Sequence, residues 1–377
     1  MPGAVVGDRF RAAHASGGPW PALVKACVEQ LGALPHGATL GFLYVTDALA
    51  SDLANILAFL RERTRIADWV GSVGLGICSA GIETYECPGL AVMVAALPMD
   101  TFRVFSPIAG GSQGFGPEIA SWIARRRPAI GVVHSDPRCP ELDDTIAAVS
   151  KRSATFLVGG ITSARQLPVQ IAGRIVQGGV SGVLLAQDVI VTAGLSQGCS
   201  RIGPIHLVTE AQGNIVMAID GRPALDVFKE EIGDLLSRDL RKVPGLIFAG
   251  FPIAGSDPDG FLVRNLLAID IERKWLTFRR AVKPGDQILF CRRDTQNAVA
   301  DLKRMLDDIK LRSGNTPQAA LYFSCVMRGA NLFGPESEEL GLVRQALGDI
   351  PLVGFFASGE ISNNRLHEYT GVLALFL

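Results

Sequence analysis

Three times along the 377-residue chain the same succession recurs: an apolar run without alternation, a helical pattern, a glycine-bearing apolar run and a further apolar run. Unalternating runs of this kind suit strands buried on both faces, as inside a sheet covered by helices. The first copy has Leu40 to Val45, a helical segment Asp47 to Leu60, Trp69 to Ser79, and Leu90 to Leu97. Leu53, Ile56, Leu57 and Leu60 share one helical face, and Ser51 is a candidate N-cap that lets this helix start late. The second copy has Ala129 to His134, a helix around Leu142 to Val149, Thr155 to Ser163, and Val180 to Ala186. The third has Ala319 to Cys325, a helix around Glu336 to Leu347, Pro351 to Ile361, and Gly371 to Leu377. Each copy is near the size of a βαβ unit up to its glycine turn. Periodicity in any α/β chain yields such triplets by chance, so true repetition is one of two readings.

Ahead of the first copy, Trp20, Leu23, Val24, Cys27, Val28 and Leu31 form one apolar helical face, which predicts a helix over Trp20 to Leu34, stopped by Pro35 and Gly37. Between copies two and three the pattern changes. Ile205 to Asp220 reads as a hairpin turning at Ala211-Gln212-Gly213-Asn214, and Asp220-Gly221-Arg222-Pro223 opens a helix through Phe228 and Ile232. Strands are expected at Leu246 to Gly250, Leu262 to Ile269, Trp275 to Phe278 and Gln287 to Arg292, then a helix Asp301 to Lys310. The fold class is therefore α/β: two α/β modules of repeated β-α-β-β units with mixed sheets, plus a β-rich insert between repeats two and three. A domain boundary is expected near 200–222.

Composition excludes some classes. With 48% hydrophobic residues the chain has material for buried cores, which rules out a disordered polymer. Lys+Arg 36 against Asp+Glu 37 leaves a formal charge of −1, without the basic excess of a nucleic-acid binder. The seven cysteines (Cys27, Cys78, Cys87, Cys139, Cys199, Cys291, Cys325) are scattered, which reads as reduced, mostly buried thiols of a cytoplasmic protein. No secretory signal is visible, and the longest apolar stretch, Leu90 to Met99, is too short to span a bilayer, so membrane insertion is not expected.

Six of the 42 glycines fall in three small-residue turns at strand ends, Gly76 to Gly81, Gly159 to Ala164 and Gly354 to Glu360. Ligands of doubly wound sheets bind beyond the carboxyl ends of strands, where small residues leave main-chain N–H groups accessible. Candidate ligand-binding residues are thus Cys78, Ser79, Gly81, Thr162, Ser163, Ser324, Cys325, Ser358 and Gly359, with Arg328 and Glu360 supplying charge. If their strands are adjacent, Arg328 and Glu360 sit on one sheet edge, able to hold an α-carboxylate and an α-amine. The competing readings are tight-turn glycines and an Arg–Glu ion pair worth about 0–1 kcal/mol if exposed.

Catalytic signals are poor. Gly110-Gly111-Ser112-Gln113-Gly114 fits G-x-S-x-G, but no strand runs directly into Ser112 and no helix directly out. Gly71 to Gly76 lacks dinucleotide-loop spacing, no Walker A sequence occurs, and the five histidines show no metal-like spacing. His134 beside Ser135 and Asp136 reads as a loop or capping residue, and Arg125-Arg126-Arg127 as a complement to a helix dipole.

At these residues the chain resembles the FIST family, in its arrangement of FIST_N followed by FIST_C. The strand–helix–small-residue-turn core of FIST_N is similar to Leu40 to Glu83. The connector resembles Gly203-Pro204 through Val208-Thr209-Glu210 to Asp220-Gly221-Arg222-Pro223-Ala224. FIST_C resembles Phe261-Leu262-Val263-Arg264, Lys283-Pro284-Gly285-Asp286, the C-x-x-R at Cys325 to Arg328, and Gly359-Glu360-Ile361. One departure is Gly81-Ile82-Glu83, where the family often has Gly-Glu-Ile. The resemblance divides the chain into an N-terminal extension over 1–35, a FIST_N-like domain over 36–210 and a FIST_C-like domain over 211–377. It implies a sensory module of signal transduction that binds small ligands, amino acids among them, with no catalytic residue and no cofactor. The expectation is a cytoplasmic ligand-binding sensor, acting alone or through a signalling partner. The alternatives are a thiol-dependent or acyl-transfer enzyme using Cys325 or Cys78, which lacks a nearby His as base, and a non-catalytic interaction scaffold.

Overall fold

The computed structural model describes residues 5–6, 8–253, 260–314 and 316–377. They form two compact units: Met1–Ser196 with Val299–Leu377, and Gln197–Ala298.

The first unit is α/β, with three mixed sheets. Its first sheet runs, in spatial order, Val5–Val6, Phe10–Ser16, Gly89–Ala95, Leu40–Thr46, Asp68–Gly74, Gln170–Ala172, Ile175–Val176. The second runs Phe102–Ile108, Val180–Ala186, Pro128–Ser135, Phe156–Ile161, Glu360–Asn363, Arg365–His367. The third runs Val191–Gln197, Thr370–Phe376, Ala319–Cys325, Leu352–Ala357, Gly76–Ser79, Ile82–Tyr85. At the centre of each sheet lies one parallel pair, flanked on both sides by antiparallel neighbours.

The last two strands of every sheet are a hairpin borrowed from elsewhere in the chain. Trp69 to Ser79, expected as one strand, is two: Asp68–Gly74 stays in the first sheet, and Gly76–Ser79 crosses to the third. Pro351 to Ile361 divides likewise, into Leu352–Ala357 of the third sheet and Glu360–Asn363 of the second. The outlying strands Phe10–Ser16, Phe102–Ile108 and Val191–Gln197 are absent from the sequence reading.

Alternation places side chains from all three sheets in one common core, including Phe42, Tyr44, Val132, Val158, Phe323 and Phe355. The opposite faces pack against helices. Trp20–Leu31 and Leu53–Thr64 cover the first sheet through Val24, Cys27, Ile56 and Leu60. In the second, Trp122, Ile146 and Val149 do the same from Pro117–Arg126 and Leu142–Ser153.

In the parallel pair of each sheet a glycine is demanded by strand contact. Gly71, Gly159 and Gly354 lie opposite Leu43, Val133 and Tyr322 in the parallel pairs. A Cβ there would come within 1.8, 1.8 and 1.7 Å of the carbonyl oxygens of those three residues. Gly71, rather than Gly76, is therefore the counterpart of Gly159 and Gly354.

The second unit is a β-barrel. Cys199–Gln212, Gln287–Arg293, Ile247–Pro252, Phe261–Asp270, Trp275–Phe278 and Ile215–Ile219 follow one another, and Ile215–Ile219 pairs back onto Cys199–Gln212 to close the ring. Val208, Val216, Phe251, Phe278 and Phe290 fill its core with Leu225 and Phe228 from helix Ala224–Ile232. The expected hairpin is present, with Gln212 opposite Ile215.

Candidate functional site

The third sheet differs chemically from the first at matched positions. In strand Leu40–Thr46, Leu43 and Val45 face the helices and are apolar. The matched residues of Ala319–Cys325 are Tyr322 and Ser324, fully buried, and over them lies Glu339 from the first turn of helix Glu338–Leu347. The Glu339 carboxylate accepts from Tyr322 Oη at 2.6 Å, Ser324 Oγ at 3.0 Å, Arg328 Nε at 2.9 Å and the Gly329 amide at 2.8 Å. Arg328 Nη2 completes the fork at 2.8 Å, with both side chains wholly buried. The guanidinium also reaches the Ser196 carbonyl at 3.4 Å and hydroxyl at 3.3 Å, and its carbon lies 4.9 Å from the centre of the Phe333 ring. Burial alone would depress Arg328; the Glu339 charge more than offsets it and raises the group above its ordinary range. Tyr322 is pushed well up, first by burial and then by Glu339. A buried pair of this sort is held by such added hydrogen bonds, here from Tyr322, Ser324 and Gly329 to the carboxylate and from the guanidinium to Ser196.

Glu83 and Tyr85 are brought to the same place by the Gly76–Ser79 and Ile82–Tyr85 hairpin, whose Ser79 and Cys78 lie opposite Val353 and Gly354. The Glu83 amide donates to Ser337 Oγ at 2.9 Å, and its carboxylate accepts from the Leu340 amide at 3.2 Å and Tyr85 Oη at 2.7 Å. A carboxylate there complements the positive end of the helix dipole. Burial is the largest influence on Glu83 and, with the Glu339 charge, lifts it to about 7 against the opposing hydrogen bonds of Tyr85 and the helix amides. Gly329, at φ +50°, leaves the room for this: a Cβ there would stand 1.9 Å from Tyr85 Oη and 2.8 Å from Glu83 Oε2.

Glu360 is fully buried on the second sheet, opposite Gly160. Its Oε2 accepts from the Thr370 amide at 3.1 Å and hydroxyl at 2.8 Å, and its Oε1 has no hydrogen-bond partner. Burial pushes Glu360 well up, while the Thr370 donors and the Arg328 charge pull the other way. Cys325 is 5% exposed. Burial and then the Glu360 charge raise its thiol, opposed by the Met327 and Tyr369 amides, which donate to Sγ, and by Arg328.

Arg328 and Glu360 therefore do not share a sheet edge. Arg328 follows a strand of the third sheet, Glu360 lies in the second, and the carboxylate that pairs with Arg328 is Glu339. The other sequence candidates fall into four groups. Cys78 and Ser79 are buried within the hairpin strand, and the Cys78 thiol is raised by burial and then by Glu83 and Glu339. Gly81 is at φ +75°, where a Cβ would meet Arg344 Cδ at 2.7 Å; the depression beside it, about 410 Å3, is lined by Gly341, Arg344, Gln345, Gly348 and Asp349. Thr162 and Ser163 join strand ends to one another: Thr162 Oγ1 bonds Ser72 Oγ at 2.7 Å, and Ser163 Oγ accepts from the Leu75 amide at 2.9 Å and donates to the Phe356 carbonyl. Ser358 is exposed, its amide donating to the Ile161 carbonyl at 3.0 Å, while the Gly359 carbonyl accepts from the Ile161 amide at 2.8 Å.

His134 is neither loop nor cap. It is fully buried in the common core, its Nε2 3.1 Å from Tyr44 Oη, its Nδ1 unpartnered, and burial lowers it to about 3. Ser112 lies in a loop ahead of helix Pro117–Arg126, with no strand–helix elbow. Among the described residues no group of three or more His, Cys, Asp or Glu is placed to hold a metal ion. No described helix is long and apolar enough to cross a membrane.

Comparison with known proteins decides the family. The FIST N domain model matches residues 39–222 and the FIST C domain model residues 224–363. The chain belongs to the FIST family. FIST domains are generally sensory, ligand-binding modules of signal transduction. The two matches meet at a different point of the chain from the compact units, which change at 196/197 and 298/299. An uncharacterized protein of Mycobacterium tuberculosis strain H37Rv is 28% identical over 374 residues, covering 94% of this chain and 95% of that protein. An uncharacterized protein of Mycobacterium bovis is 34% identical over 192 residues, covering 48% of this chain and 50% of its own. Among solved structures, T. maritima PurL complexed with FGAR aligns over 99% of this chain and 74% of its own at 11% identity, with a TM-score of 0.24, too low to bear on fold or function.

Proposed function

We propose that this FIST protein is a cytoplasmic sensor of a small polar ligand, an amino acid or small carboxylic acid, bound at the strand ends around Arg328 and Glu360, and that it transmits occupancy to a signalling partner without catalysing a reaction. The observation that carries the reading is the unpartnered Oε1 of fully buried Glu360. A buried carboxyl oxygen without a donor is costly, and a ligand amine or hydroxyl removes the cost. Arg328 lies near enough for its charge to bear on Glu360, which favours a ligand that carries an acid beside its amine. The polar substitution at Tyr322, Ser324 and Glu339, where the first sheet keeps an apolar layer, supports a specialised third segment. On the same reading the three sheets descend from one repeated unit, with the barrel as an insert.

Thermal unfolding across amino acids and small carboxylates tests this. A ligand at a hundred times its Kd stabilises by about 2.7 kcal/mol. The expected result is an upward shift with an amine-bearing acid, lost in Glu360→Gln. Wild-type protein that shifts with none of them contradicts the reading.

A further inference from the structure

The connector, Gly203-Pro204 through Asp220-Gly221, takes no part in the site above, yet it gathers two carboxylates around one imidazole. Ile202 lies opposite Phe290 and His206 opposite Ile288, so residues 203–205 bulge out of the barrel strand and set the position of His206. His206 is 8% exposed. Its Nδ1 donates to Asp220 Oδ2 at 2.7 Å, and Asp220 Oδ1 accepts from the Leu207 amide at 2.8 Å, which fixes that carboxylate. On the other side of the ring, Glu231 from helix Ala224–Ile232 brings Oε1 to 3.3 Å from Nε2, but Nε2 makes no hydrogen bond. Glu231 Oε2 lies over Gly203, at φ +64°, where a Cβ would stand 1.6 Å from it. The bulge glycine is what gives this carboxylate its place.

With its one N–H given to Asp220, the neutral ring turns the Nε2 lone pair toward Glu231, and two acceptors face each other with nothing between them. A charge-assisted hydrogen bond would draw them to about 2.7–2.9 Å. Two ligands of a tetrahedral zinc ion, each about 2.0–2.1 Å from the metal, stand about 3.3 Å apart. We propose that His206 Nε2 and Glu231 Oε1 are the ligands of a zinc ion on the barrel, with water completing its shell and Asp220 as the positioning carboxylate behind the imidazole. A carboxylate on the far ring nitrogen is the usual partner of a metal-bound histidine, because it fixes the tautomer and the ring plane. One imidazole and one carboxylate suit zinc better than calcium or magnesium, which take oxygen ligands. The Glu231 side chain is 19% exposed and Asp220 46%, so the ion and its waters have a path from solvent. The ion would tie helix Ala224–Ile232 to strand Cys199–Gln212. The site lies wholly in the barrel unit and does not rest on the sensory reading.

The experiment is equilibrium dialysis of the full-length, tag-free, reduced protein against zinc chloride, with cobalt chloride as the spectroscopic probe. One zinc per chain is expected to be retained, with visible cobalt bands that lack thiolate charge transfer. Blocking accessible thiols, half-buried Cys87 among them, is expected to leave binding unchanged. Glu231→Gln and His206→Gln are each expected to lose the ion, and Asp220→Asn to weaken it about 10–100-fold while keeping one per chain. Wild-type protein that retains no zinc overturns the proposal, whatever becomes of the variants. A thiolate band with cobalt, loss of the ion on thiol blocking, or undiminished affinity in folded Glu231→Gln overturns it too, since each places the ion elsewhere.

Discussion

At the scale of single residues, the Arg328–Glu339 pair makes the sharpest demand. Removing one member of a buried ion pair leaves the other uncompensated, at a cost of about 3–5 kcal/mol. Glu339→Gln and Arg328→Met are each expected to lower the unfolding free energy read from denaturant titration by that amount. The double variant Arg328→Met with Glu339→Leu is expected to lose less than the sum, because no buried charge remains. Two other residues set the pH dependence. Glu83 is held at about 7, above its value of 4.5 in the unfolded chain. The folded state therefore binds that proton more firmly, and the contribution present below pH 4.5 is lost as pH rises through 7. His134 works the other way: lowered from 6.5 to about 3, it favours folding above pH 6.5 and loses that contribution as pH falls toward 3. Stability curves of Glu83→Gln and His134→Gln against pH separate the two. A Glu83→Gln curve parallel to wild type between pH 4.5 and 7 would contradict the placement of Glu83.

At the scale of elements, the parallel pairs were legible because their apolar runs need no partner to identify them. The outlying strands were not. Val191–Gln197 is half-buried along most of its length, and Phe10–Ser16 carries Arg11 and His14, so neither shows a buried-strand pattern. Exchange of hairpins was equally hidden. Trp69 to Ser79 is one continuous apolar run, and only its partners, Leu43 on one side of the break and Val353 on the other, show that it serves two sheets. Glu339 was invisible as a site residue for a related reason. It sits beside Glu338 in the first turn of its helix, with Glu336 just ahead of the N-cap, where acids usually serve the helix dipole in water. What marks it is register with Tyr322 and Ser324, which sequence separation conceals. The glycines offer a test at this scale. Gly354→Ala drives a Cβ into the Tyr322 carbonyl and is expected to cost about 1–3 kcal/mol or more. Gly114→Ala meets nothing within 4 Å and is expected to be near neutral. Equal midpoints for the two variants in urea would contradict the strand register.

At the scale of the whole molecule, the hairpins tie distant segments together. Residues 76–85 complete the third sheet, 170–176 the first, and 360–367 the second. No sheet of the first unit other than the first can form fully without residues 299–377. A fragment of residues 1–222, which contains the whole FIST N match, is therefore expected to lack a cooperative unfolding transition by circular dichroism. The barrel, residues 197–298, closes its own ring around its own core and is expected to unfold cooperatively when expressed alone. The central claim is that the strand ends around Arg328 and Glu360 receive a small polar ligand. Amide hydrogen exchange of the full chain, with and without a stabilising amino acid or carboxylate, addresses it most directly. The account predicts slowed exchange over residues 325–340 and 358–370. Slowed exchange confined to the barrel strands, with those two segments unchanged, would contradict it.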